Sequence, residues 1–176
     1  DEHIDELLLA PSGDSCFILG DTALAQLCAE KILKRKISIL GVLSDDPEVK
    51  KFAHKYALPF HSLNQANIAK ILGSHEFDYL FSISNGKVIK PDVLAMPRKL
   101  AINYHDSPLP RYAGMYATSW ALINHETTHA ISWHVMTEKV DAGDILVQKA
   151  VSIKPDDDVA ILDLFTGRCR HTLLFD

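Results

Sequence analysis

Hydrophobic residues recur along the chain in short blocks, and the spacing within each block predicts an element. Cys16 to Leu19 is an apolar run closed by Gly20-Asp21, and behind it Ala23, Leu24, Leu27, Cys28 and Ile32 recur at helical spacing. This predicts a strand, a sharp turn made by Gly20, and a helix with Asp21 as N-cap. Ile37 to Leu43 is rich in β-branched residues, as a strand should be. Asp46-Pro47-Glu48 has the order of a helix start: an N-cap acid, proline at the first position and an acid in the first turn. The buried face of that helix should be Phe52, Ala53, Tyr56 and Ala57. A short strand near Leu58 to His61 and a helical pattern from Asn64 to Leu72 follow.

Phe77 to Ser84 reads as a buried strand closed by the turn pair Asn85-Gly86, and Pro91 to Ala95 as a short helix. Leu100 to His105 is a strand that runs into a proline-stiffened loop. Ala117 to Asn124 is expected to be helical, Ala130 to Met136 and Ile145 to Val151 to be strands, and Val159 to Leu164 to be a final helix with an irregular continuation from Gly167 to Asp176. Strands alternating with helices predict an α/β fold, an open and mostly parallel sheet with helices on both faces. Residues 1–14 read as a lead-in, with one domain over 15–176. In open sheets of this kind ligands sit beyond the carboxyl ends of the strands.

The chain has 176 residues, 47% of them hydrophobic, which is enough for one domain with a sizeable core. Its apolar runs are too short to span a bilayer and its first residues are acidic, so the expectation is a cytoplasmic protein without membrane contact. Cys16, Cys28 and Cys169 are odd in number and far apart, which leaves no disulfide framework and no Cys-x-x-Cys motif. Cys16 and Cys28 read as small core residues. A net charge of −5 disfavours broad contact with nucleic acid, and the cluster Lys31, Lys34, Arg35, Lys36 suits the solvated C-terminal end of a helix.

Candidate chemistry gathers at the end of the Leu100 to His105 strand. Side chains alternate there, so Ala101, Asn103 and His105 share one face. An amide and an imidazole side by side can donate to a developing oxyanion and move a proton, as acyl transfer requires. The structural alternative is that Asn103 caps the strand and His105 bonds a loop carbonyl. In Val140-Asp141-Ala142-Gly143-Asp144, one carboxylate could orient His105, or the two acids could be ordinary turn chemistry. Ser107 lacks the G-x-S-x-G elbow of a serine nucleophile and reads as a loop-shaping hydroxyl. The turn after the first strand has a single glycine and an acid, which is unlike a dinucleotide site or a P-loop.

His125-Glu126-Thr127-Thr128-His129 spells H-E-x-x-H, a zinc-protease motif when it lies on a helix. Ala130 to Val135 reads as a strand, however, so His129 falls where the helix has ended. His134 or Glu138 would be an awkward third ligand, and no metal is expected.

Asn103-Tyr104-His105, Ser107-Pro108-Leu109-Pro110 and Asp141-Ala142-Gly143-Asp144 resemble, in this order, the N-x-H, S-L-L-P and D-x-G-D signatures of the folate-dependent formyltransferases. Arg111-Tyr112-Ala113-Gly114 and Ala117 to Leu122 extend the resemblance, which is strong from about Phe77 to Ile153. It implies a Rossmann-like core that binds 10-formyltetrahydrofolate and passes its formyl group to an amine. On the matching positions Asn103 would donate to the oxyanion, His105 would share that donation and relay a proton, and Asp141 would hold the imidazole. The resemblance also implies a folate site drawing on Ser84, Asn85, Gly86, Ile89, Leu100, Ser107, Leu109, Val140 and Asp144, and a cis peptide at Pro110.

Pro108 and Ala113 depart from the usual pattern. With the neighbouring residues they look closest to sugar N-formyltransferases and to formyltransferase-like domains of nonribosomal peptide or polyketide synthases. The expected acceptor is therefore a small or carrier-bound amine, with the chain a domain of, or partner to, a larger biosynthetic enzyme. The family's final helix looks altered after Asp163, and its C-terminal acceptor-gripping domain is not recognisable. Water as acceptor, giving a formyltetrahydrofolate hydrolase, and a non-catalytic folate-binding remnant are the alternatives.

Overall fold

The computed structural model describes residues 13–160 and Leu162. Cys169, most of the lead-in and half of the expected last helix lie outside them, although Val159, Ala160 and Leu162 are helical. The strands are β1 (Ser15–Gly20), β2 (Ser38–Leu43), β3 (Phe60–His61), β4 (Tyr79–Ile83), β5 (Leu100–His105), β6 (Thr128–Val135) and β7 (Ile145–Ser152). The helices are α1 (Thr22–Lys34), α2 (Pro47–Lys55), α3 (Ile68–Leu72), α4 (Pro91–Leu94) and α5 (Ala117–Ile123). The strands form one seven-stranded open sheet in the order β3-β2-β1-β4-β5-β6-β7. β1 pairs parallel with β2 and β4, β2 with β3 and β4 with β5, whereas β6 and β7 are antiparallel. The sheet is thus mostly parallel, as the alternation of elements predicts. No helix of the described residues is long and apolar enough to cross a membrane.

The described residues divide into two compact units, one ending at Asn103 and one that begins at Tyr104. In the first, β1 and β4 are buried along their length, as central parallel strands should be. Phe17 meets Phe77 edge to face with ring centroids 4.9 Å apart, and Cys16 and Cys28 are fully buried, the core role expected of both. Burial raises the Cys16 thiol's pKa, with the Asp78 carboxylate adding to the effect.

Several local expectations need correction. Gly20 has no left-handed backbone. A Cβ there would lie 1.8 Å from the carbonyl oxygen of Ile83, so glycine is required by the close approach of β4. The left-handed residue of that turn is Thr22, at φ 74°. Asp21 occupies the N-cap of α1 but makes no cap bond. Its Oδ1 accepts instead from Ser44 Oγ and from the backbone N–H groups of Asp45 and Asp46. Asp46 caps α2 as expected, accepting from Glu48 N at 2.7 Å and Val49 N at 3.4 Å. Val49, Phe52 and Ala53 form its buried face, while Tyr56 and Ala57 are exposed beyond its end. The loop after β4 turns at Ser84, φ 51°, and is tied by Asn85, which accepts from Lys87 N and donates to Ser82 Oγ. Gly86 supplies no left-handed conformation.

In the second unit, Trp133 and Tyr104 pack edge to face at 5.4 Å, and Ala121, Val151 and Leu162 form a buried cluster. The β6–β7 pairing is regular from Thr128↔Ser152 to Trp133↔Val147 and then shifts, so that His134 pairs with Ile145 and Leu146 is passed over. That shift is a β-bulge, and it falls beside the candidate chemistry.

Candidate active site

β5 places Asn103 and His105 two residues apart, on the same face by strand alternation. Asn103 stands opposite Ser82 of β4. His105 is 8% exposed. Its Nε2 lies 2.9 Å from the carbonyl oxygen of Tyr112. A carbonyl can only accept, so Nε2 carries hydrogen and donates, and in the neutral ring Nδ1 is the nitrogen with the lone pair. Nδ1 faces two carboxylates, Asp141 Oδ2 at 3.6 Å and Asp106 Oδ1 at 4.0 Å. The two sequence readings of His105 therefore coexist: it bonds a loop carbonyl on one side and meets a turn carboxylate on the other.

Asp141 is held from several directions. Its Oδ2 accepts from Gly114 N at 2.8 Å and its Oδ1 lies 3.5 Å from His134 Nε2. The His134 ring is in turn fixed through Nδ1, 3.0 Å from the carbonyl oxygen of Val135. Burial by itself would raise the Asp141 pKa, but the His134 bond, the Gly114 N–H and the nearby imidazoles outweigh it, and the carboxyl is held below its ordinary range. Asp141 has φ 53°, and Gly143 closes the turn, because a Cβ at Gly143 would lie 1.8 Å from the Val135 carbonyl oxygen. Asp144 is exposed and contributes its backbone carbonyl to Val135 N, so Asp141 is the carboxylate that meets the imidazole. Val140 is exposed as well.

The loop between β5 and α5 supplies the two backbone groups of this site. Its Leu109-Pro110 peptide is cis, as the resemblance implies. Ser107 is buried, donates to the carbonyl of Arg111 and accepts at its own carbonyl from Ser132 Oγ, so its hydroxyl shapes the loop. Leu109 is buried and bonded through its N–H to Ser132 and through its carbonyl to Gln148. Tyr112, Gly114 and Tyr116 all have positive φ, at 56°, 94° and 60°. For the two tyrosines this costs roughly 1–3 kcal/mol each and persists only where the surroundings enforce it.

Ser84, Asn85, Gly86, Ile89 and Leu100 belong to the other unit, around the end of β4 and the start of β5. Sequence reasoning missed the Tyr112 carbonyl and the Gly114 N–H, which have no side-chain signal. It noted His134 only as an awkward metal ligand. Among the described residues no group of three or more His, Cys, Asp or Glu could hold a metal ion.

This geometry can be set beside known proteins. A family model described as "Formyl transferase" matches residues 26–172. The chain belongs to the formyl transferase family. Among its relatives, the methionyl-tRNA formyltransferase of Thermodesulfovibrio yellowstonii is 34% identical over 119 residues, covering 66% of this chain and 39% of that protein. The bifunctional polymyxin resistance protein ArnA of Wigglesworthia glossinidia brevipalpis is 37% identical over 112 residues, 62% of this chain and 17% of that one. The matched region thus spans well under half the length of either relative. The crystal structure of phosphoribosylglycinamide formyltransferase from Bacillus halodurans superposes with a TM-score of 0.80 at 20% identity, covering 91% of both chains, which is a likeness of fold. A formyltetrahydrofolate deformylase from Pseudomonas syringae gives the same TM-score at 18% identity, covering 94% of this chain and 59% of that one.

Proposed function

We propose that this formyl transferase family member moves a formyl group from 10-formyltetrahydrofolate to an amine, with Asn103, His105 and Asp141 as the catalytic residues. The observation that carries the reading is the orientation of His105. Its Nε2 hydrogen is committed to Tyr112, and its Nδ1 faces a carboxylate that is itself held by Gly114 and His134. The folate supplies an activated formyl carbon. His105 Nδ1 takes and returns the proton that must leave the amine and reach the folate nitrogen, a role worth roughly 10²- to 10⁴-fold in rate. Asp141 holds that imidazole and can accept a proton directly or through water. The Asn103 amide, on the same strand face, donates to the formyl oxygen as charge develops there, typically about 3 kcal/mol.

The folate contacts are proposed from the resemblance alone, at Ser84, Asn85, Gly86, Ile89, Leu100, Ser107, Leu109, Val140 and Asp144. The acceptor is proposed as a small or carrier-bound amine. Incubation with 10-formyltetrahydrofolate, following free tetrahydrofolate with and without amino sugars and other amines, tests the reading. Release that requires an amine is the expected result. Release at the same rate without one identifies a hydrolase, and the absence of both release and folate binding sinks the catalytic proposal.

A further inference from the structure

The proposed chemistry makes no use of His125-Glu126-Thr127-Thr128-His129, although the segment carries two imidazoles and a carboxylate. Its parts lie on different elements. His125 follows α5 in a left-handed conformation, φ 54°, with its N–H on the Leu122 carbonyl, while Glu126 N donates to the Ala121 carbonyl. Those two bonds form a Schellman motif, which fixes the backbone at Glu126. His129 lies on β6, buried, with Nε2 donating to the Asp106 carbonyl at 2.6 Å.

Glu126 and His129 therefore grip the loop between β5 and α5 at two places. His129 holds Asp106, the residue directly after His105. Glu126 Oε1 accepts from Tyr112 Oη at 2.6 Å and from Arg111 Nη2. Tyr112 Oη also accepts from Asn124 Nδ2, and the Arg111 guanidinium lies 5.3 Å from the centre of the Tyr112 ring. Tyr112 is the residue in an unfavourable left-handed backbone whose carbonyl receives the His105 Nε2 hydrogen. A short chain of contacts thus runs from the Glu126 carboxylate through the tyrosine to the imidazole.

We infer that this segment is a clamp on the catalytic loop and that Glu126 is a positioning residue for His105, acting through Tyr112. Without the carboxylate, Tyr112 loses its main anchor and its left-handed backbone can relax. Its carbonyl then no longer fixes the hydrogen on Nε2, and Nδ1 is no longer reserved for proton transfer. The activity arm of the test rests on the formyl-transfer proposal; an imidazole signal read by NMR does not.

The full chain would be compared with its Glu126→Ala and Glu126→Gln variants, and Tyr112→Phe would be combined with Glu126→Ala. The readouts are kcat, KM for 10-formyltetrahydrofolate, and the ¹⁵N signals of the His105 ring, which report the nitrogen that carries hydrogen. Glu126→Ala is expected to lower kcat by roughly 10- to 100-fold with little change in KM, and to shift the His105 signals. Glutamine keeps an acceptor oxygen for Tyr112 and Arg111 and should restore most of both. Adding Tyr112→Phe to Glu126→Ala should cost little more, because both cut the same chain of contacts. The clamp is supported only if kcat and the imidazole signals move together and glutamine restores them; any other pattern overturns it. If the wild-type protein proves inactive, the transfer proposal fails, and the imidazole signals alone decide for or against the clamp.

Discussion

His105 Nδ1 and Asp141 Oδ2 stand 3.6 Å apart, an ion-pair separation longer than a good hydrogen bond. In the proposed reaction this pair handles the proton that passes from the amine to the folate. Asp141→Asn keeps an oxygen for the Gly114 N–H but removes the charge facing the imidazole. We expect it to fold, less stably because the ionised carboxylate supports the fold, and to lower kcat by roughly 10²- to 10⁴-fold, as loss of proton-transfer assistance typically does. Steady-state turnover alongside a thermal melt checks this, and near-wild-type turnover would remove Asp141 from the mechanism.

Acid should weaken the fold in two windows. Burial lowers the His129 pKa below its ordinary value of 6.5, with the Asp106 carbonyl only partly offsetting the effect. The unfolded chain then binds that proton more readily, so stability falls as pH drops below about 6.5. Asp141 is held below its ordinary 3.8, so its contribution is complete above that value and is lost as pH falls further, through the folded value. Urea melts across pH should show both declines. His129→Gln should flatten the upper one and Asp141→Asn part of the lower. The Asp78 carboxyl shares the lower decline, since despite burial it is also held below 3.8, by the Ser15 N–H and Arg98. Unchanged slopes would contradict the assignments.

Gly143 offers a steric test. A methyl group there would be driven into the Val135 carbonyl, the same oxygen that receives His134 Nδ1. Gly143→Ala should destabilise the protein by about 1–3 kcal/mol and lower kcat as well, since the turn that carries Asp141 must shift. A variant that melts and turns over like the wild type would show that the turn yields freely.

Asp46 should separate stability from activity. It caps α2 and its Oδ2 also accepts from Thr22 N at 3.1 Å. Asp46→Ala is expected to cost about 1–2 kcal/mol in a denaturant titration while leaving kcat unchanged.

The elements were legible because each kept its own hydrophobic period. The Asp46-Pro47-Glu48 start of α2 shows this best: a cap, a fixed φ and a first-turn acid all act locally. Tyr56 and Ala57 continue the apolar spacing, yet α2 ends before them, so periodicity overran the boundary. Gly20 was legible as a glycine with a purpose but not as the right purpose, because the carbonyl it accommodates lies on β4, far along the chain. In the candidate site, the strand-end pair and the acidic turn could be found from residue types. The Tyr112 carbonyl and the Gly114 N–H could not, since every residue but proline offers backbone groups of that kind. His134 has a side chain to notice, but its partner depends on how the turn from Val140 to Asp144 folds back onto the end of β6.

The bulge at Leu146 separates the β6–β7 hairpin into two parts with different tolerance for change. Along the regular ladder from Thr128 to Trp133, each substitution is judged by the pair it belongs to. Beyond it, pairing resumes one residue out of step, and His134 and Asp141 depend on that offset. Deleting Leu146 would keep the pairs Trp133↔Val147 and His134↔Ile145 but remove the local bend and added twist that the extra residue gives the strand. The irregularity in the sheet therefore aims the end of the hairpin that carries the carboxylate, and length at this point is under tighter constraint than identity.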